Sequence, residues 1–281
     1  MLCRRNNKNM VYLIYHTLSS YTFLLITTFS STLFSTTTRD ANEGELLGLI
    51  KDLDYAFVSL HLNTPQTLDA WKAKFINNDS MAICGSDKGV LTVWDLGLEN
   101  SDKAPSTNAS PMVSILDTTK KQLINCISSS SADSIVAAGN SVGNIYTFDL
   151  STNQLLNEFI AHSDIVRDVA IGKNSNLLYS CSDDKRILVY DIRHKNAVMS
   201  LQGHKGWVMG ISLCLDDRLL ASASSDSTSN LWDLRSKSCV QSLSTSPSEV
   251  WNVSFEQSSD APRLASVGED SLIQFYKPIS L

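Results

Sequence analysis

The stretch GHKGWVMGISLCLDDRLLASASSDSTSNLWD, residues 203–233, decides the fold. Residues 207–214 alternate as an inner strand, Asp216 and Asp217 make a turn, and residues 219–224 follow as a second strand. Ser225, Asp226 and Ser227 turn again into a third strand over 229–234, and residues 240–243 supply a fourth. The closing pair Trp232-Asp233 recurs as Trp94-Asp95, Phe148-Asp149 and Tyr190-Asp191, with a degenerate copy at Tyr276-Lys277. Successive aromatics stand 54, 42, 42 and 44 residues apart. A period in that range, with Gly-His ahead of Trp-Asp, implies stacked four-stranded sheets.

Superposing the copies gives units at about 55–96, 112–150, 155–192, 198–234 and 240–277 within a β domain spanning 41–281. First strands are expected to begin near Trp71, Leu123, Ile165 and Val250. The connection over 97–111 is rich in Asn, Ser, Asp and Pro and is expected to be a surface loop. Residues 1–40 differ from the rest: Arg4, Arg5 and Lys8 precede 24 residues, 11–34, whose only ionisable side chains are His16 and three tyrosines. That pattern is targeting-like, but ten of the 24 are Ser, Thr or His, so the reading preferred is a disordered leader or a piece of upstream translation.

With 281 residues, 43% of them hydrophobic, the chain buries enough surface to fold without disulfides or metal. Its net charge of -6 argues against direct nucleic-acid binding, which needs clustered Lys and Arg to neutralise phosphates. The composition likewise gives a membrane role no support beyond residues 11–34. The six cysteines form no CxxC pair, so no metal is expected. Five of them lie in or beside apolar runs and are expected to be small buried hydrophobes. Asn78, Asn108 and Asn252 head glycosylation-type triplets that a Ser-rich chain produces by chance. No Gly-rich phosphate loop or nonrepeating acid-base pair appears, so neither a cofactor nor a small-molecule ligand is expected.

His204, Ser222, Asp226 and Trp232 together invite a hydrolase reading. The Ser stands ten residues and the Asp six before the aromatic, and the offsets recur at Ser180, Asp184 and Tyr190 and at Ser266, Asp270 and Tyr276. A nucleophile is needed once per active site, whereas a hydrogen-bonded staple is needed once per sheet. We therefore expect no catalytic residue. The indole of Trp232 should donate to Ser222, Ser222 to His204, and the other imidazole nitrogen to Asp226. His162, Ser180 and Asp184 repeat the network with Tyr190 in place of Trp, and the final unit lacks the His. Lys88 and Val142 replace the Asp in the first two units, and these incomplete units, the final one included, are expected to rely more on apolar packing.

Gly203-His204, Trp232-Asp233 and the repeated Ser and Asp offsets resemble WD-repeat β-propellers over about residues 55–281. The fold expected is all-β, a WD-repeat β-propeller with five recognisable blades, best accounted for as an incomplete seven-bladed arc. Residues 55–62 are strand-like, but could close the ring only at about 72° per blade instead of about 51°. More narrowly, Asp69-Ala70-Trp71, the unit ending at Asp191, the 203–234 unit and the terminal Val250-Trp251-Asn252-Val253 resemble small WD-repeat subunits of the superkiller complex, also found in the polymerase-associated factor complex. That resemblance implies a non-enzymatic scaffold for a tetratricopeptide-repeat protein and, through it, an RNA helicase of exosome-mediated decay. It also implies cytoplasmic and nuclear pools. A generic WD repeat equally allows a substrate receptor of a ubiquitin ligase or a signalling adaptor.

On propellers the first residues of the inner strands surround the central opening. Superposition puts Trp71, Asn125, Arg167, Met209 and Trp251 at one such position, with Asp69, Leu123, Ile165, Trp207 and Glu249 two residues earlier. Adjoining turns add Asp87, Ser141, Asp183, Ser225 and Glu269. From these, Trp71, Arg167, Trp207, Met209, Trp251, Asp183, Glu249 and Glu269 are expected to bind a partner, through a short motif pairing an arginine with an apolar anchor.

Overall fold

Alternation and turn residues produce antiparallel meanders. The computed structural model describes residues 70–77, 80–95, 112–173, 176–194, 196–244, 247–256 and 263–276. The leader, the strand-like run at 55–62, Asp69, the loop at 97–111, Asn78, Asn108 and Lys277 lie outside them. Two compact units divide the chain, one running to Ile124 and the other carrying everything from Asn125 on.

The first unit holds one sheet, ordered β1 (Ala70–Ile76), β2 (Met81–Ser86), β3 (Val90–Asp95) and β4 (Met112–Asp117). The second holds four. They are β5 (Ile124–Ser129) to β8 (Gln154–Ile160) through β6 (Ile135–Asn140) and β7 (Asn144–Asp149), then β9 (Val166–Ile171), β10 (Leu177–Ser182), β11 (Arg186–Asp191) and β12 (Ala197–Gln202). Next come β13 (Val208–Leu213), β14 (Leu219–Ser224), β15 (Ser229–Asp233) and β16 (Ser238–Leu243). The last described sheet has three strands, β17 (Val250–Phe255), β18 (Leu264–Gly268) and β19 (Ile273–Tyr276).

In the second unit β9 packs on β6, β13 on β9 and β10, and β17 on β13 and β14, so first strands meet across sheets. The apolar core lies between the sheets. Tyr179, Ile187 and Leu201 of one pack against Ile211, Leu220 and Trp232 of the next, and Leu219 and Leu231 meet Val250, Phe255 and Leu264 beyond. Each such side chain contributes about 1.5–3 kcal/mol on burial. Ala221, Ser222, Ala223 and Ser224 of β14 are all fully buried, because small side chains let the flanking sheets approach.

One feature recurs in all five copies and a second in four. The residue five before the closing aromatic is left-handed each time: Gly89 (φ 71), Gly143 (φ 87), Lys185 (φ 70), Ser227 (φ 67) and Ser271 (φ 61). At Gly143 a Cβ would also fall 2.1 Å from the His162 carbonyl oxygen, so the turn and the approach of the next loop both demand glycine. The second feature is register. Trp71, Arg167, Met209 and Trp251 are the residues passed over where the first strand slips against the second. Val113, Leu156, Val198 and Val240 are passed over between third and fourth strands. A bulge twists its strand, and on the fourth strand this blunts an exposed edge.

Candidate functional site

The hairpin of β14 and β15 sets Ser222 opposite Asn230 and Leu220 opposite Trp232, and the loop before β13 carries His204 back over their ends. Trp232 Nε1 donates to Ser222 Oγ at 2.8 Å, His204 Nε2 lies 2.7 Å from the same oxygen, and His204 Nδ1 lies 3.0 Å from Asp226 Oδ2. Asp226 also accepts from the Lys205 amide at 2.7 Å and the Thr228 hydroxyl at 2.6 Å. Gly203 fits closely beneath the indole, since a Cβ there would sit 3.1 Å from Trp232 Cη2.

Chemically this is a Ser-His-Asp chain without access. Ser222 exposes nothing to solvent, and one of its lone pairs is occupied by the indole, so no carbonyl can reach it for attack. Burial holds the His204 imidazole below its ordinary 6.5, although Asp226 pulls the other way. Burial opposes ionisation of Asp226, yet the bonds from Thr228, Lys205 and His204 outweigh it and hold the carboxyl at about 2. The arrangement therefore rests as neutral imidazole and carboxylate, bridging strand ends.

The preceding sheet repeats most of this, with His162 Nδ1 2.8 Å from Asp184 and Nε2 2.8 Å from Ser180. Tyr190 packs at a tilt against Phe159 instead, at 4.9 Å between centroids. The expectation of mainly apolar packing elsewhere needs correction in two sheets. In the first unit Trp94 Nε1 donates to Thr92 Oγ1 at 2.8 Å, two residues earlier on the same strand. In the last sheet the missing imidazole is bypassed: Ser266 and Tyr276 bond at 3.1 Å, Tyr276 donates to Gln274 Oε1 at 3.0 Å, and Gln274 Nε2 donates to Asp270 at 3.0 Å. The signal for both was present in the polar residue two before the aromatic.

The rim residues fall at the starts of the first strands. Amides of Asp183, Ser225 and Glu269 donate to carbonyls of Ile165, Trp207 and Glu249 at 3.2, 2.9 and 2.9 Å, which ties each turn to the residue two before the bulge. Trp207 is 49% exposed, Glu249 and Glu269 are exposed, and Met209 and Trp251 are half-buried. Trp71 is 48% exposed within the first unit. Asp183 differs from the expected acidic rim. It is buried, and its carboxylate accepts both arms of Arg167, Nε and Nη2, at 2.7 Å each. That bond holds the Arg167 guanidinium above its ordinary value despite burial. Sequence reasoning also missed the Arg167 guanidinium lying 5.8 Å from the centre of the Trp207 ring.

Two smaller expectations resolve. Cys84, Cys126, Cys181 and Cys214 are buried thiols, with burial pushing Cys84 up to about 12, but Cys239 is exposed because it sits on the outward fourth strand β16. Asn252 has a local structural role: its Oδ1 accepts from the Val253 amide and packs where a Gly210 side chain would be.

Comparison with known proteins follows the same residues. Two segments, 153–191 and 195–233, match the family model "WD domain, G-beta repeat". A stretch of 131 residues is 26% identical to Transcription factor unc-37 of Caenorhabditis elegans, covering 47% of this chain and 21% of that protein. Another, of 136 residues, is 25% identical to Meiotic recombination protein rec14 of Schizosaccharomyces pombe, covering 48% of this chain and 41% of that one. The alignments thus span less than half of each relative. WD repeats serve as protein-interaction scaffolds, in general without enzymatic activity. The chain carries WD repeats over 153–191 and 195–233, and its fold class is that of the WD-repeat β-propeller.

Proposed function

We propose that this chain is a non-enzymatic scaffold that captures a partner protein on the bulged rim, in assemblies like the superkiller complex of RNA decay and the polymerase-associated factor complex of transcription elongation. The observation that supports it most is the coincidence of bulges with large side chains: Arg167, Met209 and Trp251 in the second unit are each turned out of the ladder at a first-strand start. Bulges re-aim side chains, and Trp and Arg dominate interface energies. Glu249 and Glu269 lie side by side, and Asp183 is already neutralised, so the free charge on this rim is negative. A partner segment with an arginine beside an apolar side chain complements it.

The partners this reading implies are a tetratricopeptide-repeat protein and, through it, an RNA helicase, in cytoplasm and nucleus. Affinity isolation of the tagged chain, with recovered proteins identified by mass spectrometry, tests it. Recovery of a long helical-repeat protein with an RNA helicase is expected. Recovery of cullin-type ligase subunits instead would replace the reading with that of a substrate receptor.

A further inference from the structure

Trp207 is held in place from several directions. Its amide donates to Ser225 Oγ at 2.9 Å and its carbonyl accepts from the Ser225 amide at 2.9 Å. Gly206 leaves no slack, because a Cβ there would lie 2.5 Å from Ser225 Oγ. The backbone is thereby fixed, but an indole that is half in solvent would still choose among rotamers. What limits that choice comes from the neighbouring sheet. Arg167, swung out of its ladder by the bulge, sets its guanidinium over the indole ring. The guanidinium cannot drift, since the planar fork matches the Asp183 carboxylate at two points and Asp183 is buried at the end of β10.

We propose that Arg167 and Asp183 are positioning residues that hold the Trp207 ring in its binding orientation before a partner arrives, and that they touch the partner little themselves. This rests on the rim being the capture surface, as argued above. A side chain frozen in advance spares the partner the entropy of freezing it, so the pair acts on affinity through Trp207. Neutralising the guanidinium serves a second purpose. An unpaired cation beside Trp207 would repel a partner's arginine; paired with Asp183 it leaves Glu249 and Glu269 as the attracting charges.

The test uses the full chain labelled with 5-fluorotryptophan, in which Trp207→Phe assigns one fluorine resonance of the five tryptophans. Arg167→Lys keeps the charge and loses the fork; Asp183→Asn loses the charge and keeps the shape. Both should shift or broaden the Trp207 resonance and leave those of buried Trp94 and Trp232 in place. If Asp183→Asn unfolds the chain, the half-buried partner of the pair, Arg167→Lys, decides the matter. Binding is read with a fluorescein-labelled Gly/Ser dodecapeptide carrying one arginine and one leucine. Trp207→Ala should weaken it about 30-fold, and Arg167→Lys about three- to tenfold. The double variant should bind no worse than Trp207→Ala alone, because a residue acting through Trp207 has nothing left to position. An unmoved Trp207 resonance, or losses that add in the double variant, overturns the proposal. If the peptide binds with no dependence on Trp207, the positioning role falls while affinity isolation still judges the scaffold reading. Recovery of no partner in that isolation removes the scaffold reading and leaves the fluorine spectrum to judge the pair.

Discussion

The fourth sheet, β13–β16, and the last, β17–β19, solve one problem with different chemistry. In the fourth, an imidazole bridges Ser222 to Asp226, and the closing indole caps the serine. In the last, no histidine is present, and Tyr276 and Gln274 carry the bond from Ser266 to Asp270. The difference lies in burial. Trp232, Ser222 and His204 are buried, whereas Gln274 and Tyr276 are half-buried and Phe275 between them is 63% exposed. Hydrogen bonds cut off from water cost most to break, since an orphaned partner cannot be rehydrated. In both sheets the offsets mark a structural staple, and its strength is expected to follow burial and not residue identity.

The sharpest way to break that comparison is His204→Ala. It removes a buried partner from Ser222 and from Asp226 at once, and unfolding in denaturant should show a loss of about 2–4 kcal/mol. Asp226→Ala should cost more than Asp184→Ala, because Asp226 also holds the Thr228 hydroxyl and the Lys205 amide at short range. Equal losses would count against this account.

Acidification gives a second, smaller effect. Both His162 and His204 lie below their ordinary 6.5, chiefly through burial, so the unfolded chain takes up protons first. Their contribution is complete above about 6.5 and is lost as pH falls through the lower folded value. Asp226, held at about 2 against 3.8, adds a further loss below about 3.8. Hydrogen exchange followed from pH 7 to pH 5 should therefore show β10 and β14 losing protection before β18; uniform loss would deny the staples their role.

Gln274→Ala sharpens the comparison from the other side. It should cost about 1 kcal/mol or less, since water can reach the groups it leaves. Smallest is Lys185→Gly, which relieves a left-handed residue and should raise stability by about 0.5 kcal/mol in the same titration.

The strand pattern was legible because each hairpin announces itself: residues 219–224 read as a strand and form β14, bounded by turns that need Asp217 and Ser227 at positive φ. The offsets of ten and six were legible for the same reason, since hairpin register alone brings Ser222 across from Asn230 and beside the indole two residues on. Arg167, Asp183 and Trp207 were each picked out as rim residues, but their mutual engagement was not. It depends on a bulge, and a bulge leaves no mark in an alternation pattern this short. The Gln274 bypass was hidden in the sequence because a side-chain amide, not an imidazole, supplies the donor and acceptor there, from a different point of attachment.

The central claim is a division of labour: the buried staples give stability, and the bulged rim gives capture. Melting temperature and partner capture, measured together for His204→Ala and for the Trp251→Ala, Glu269→Ala double variant, test it most directly. The account predicts that the first lowers the melting temperature by several degrees while its folded fraction still captures the partner, and that the second melts like the unaltered chain and captures nothing. A double variant that melts early, or a His204→Ala protein that folds fully yet no longer captures, would contradict it.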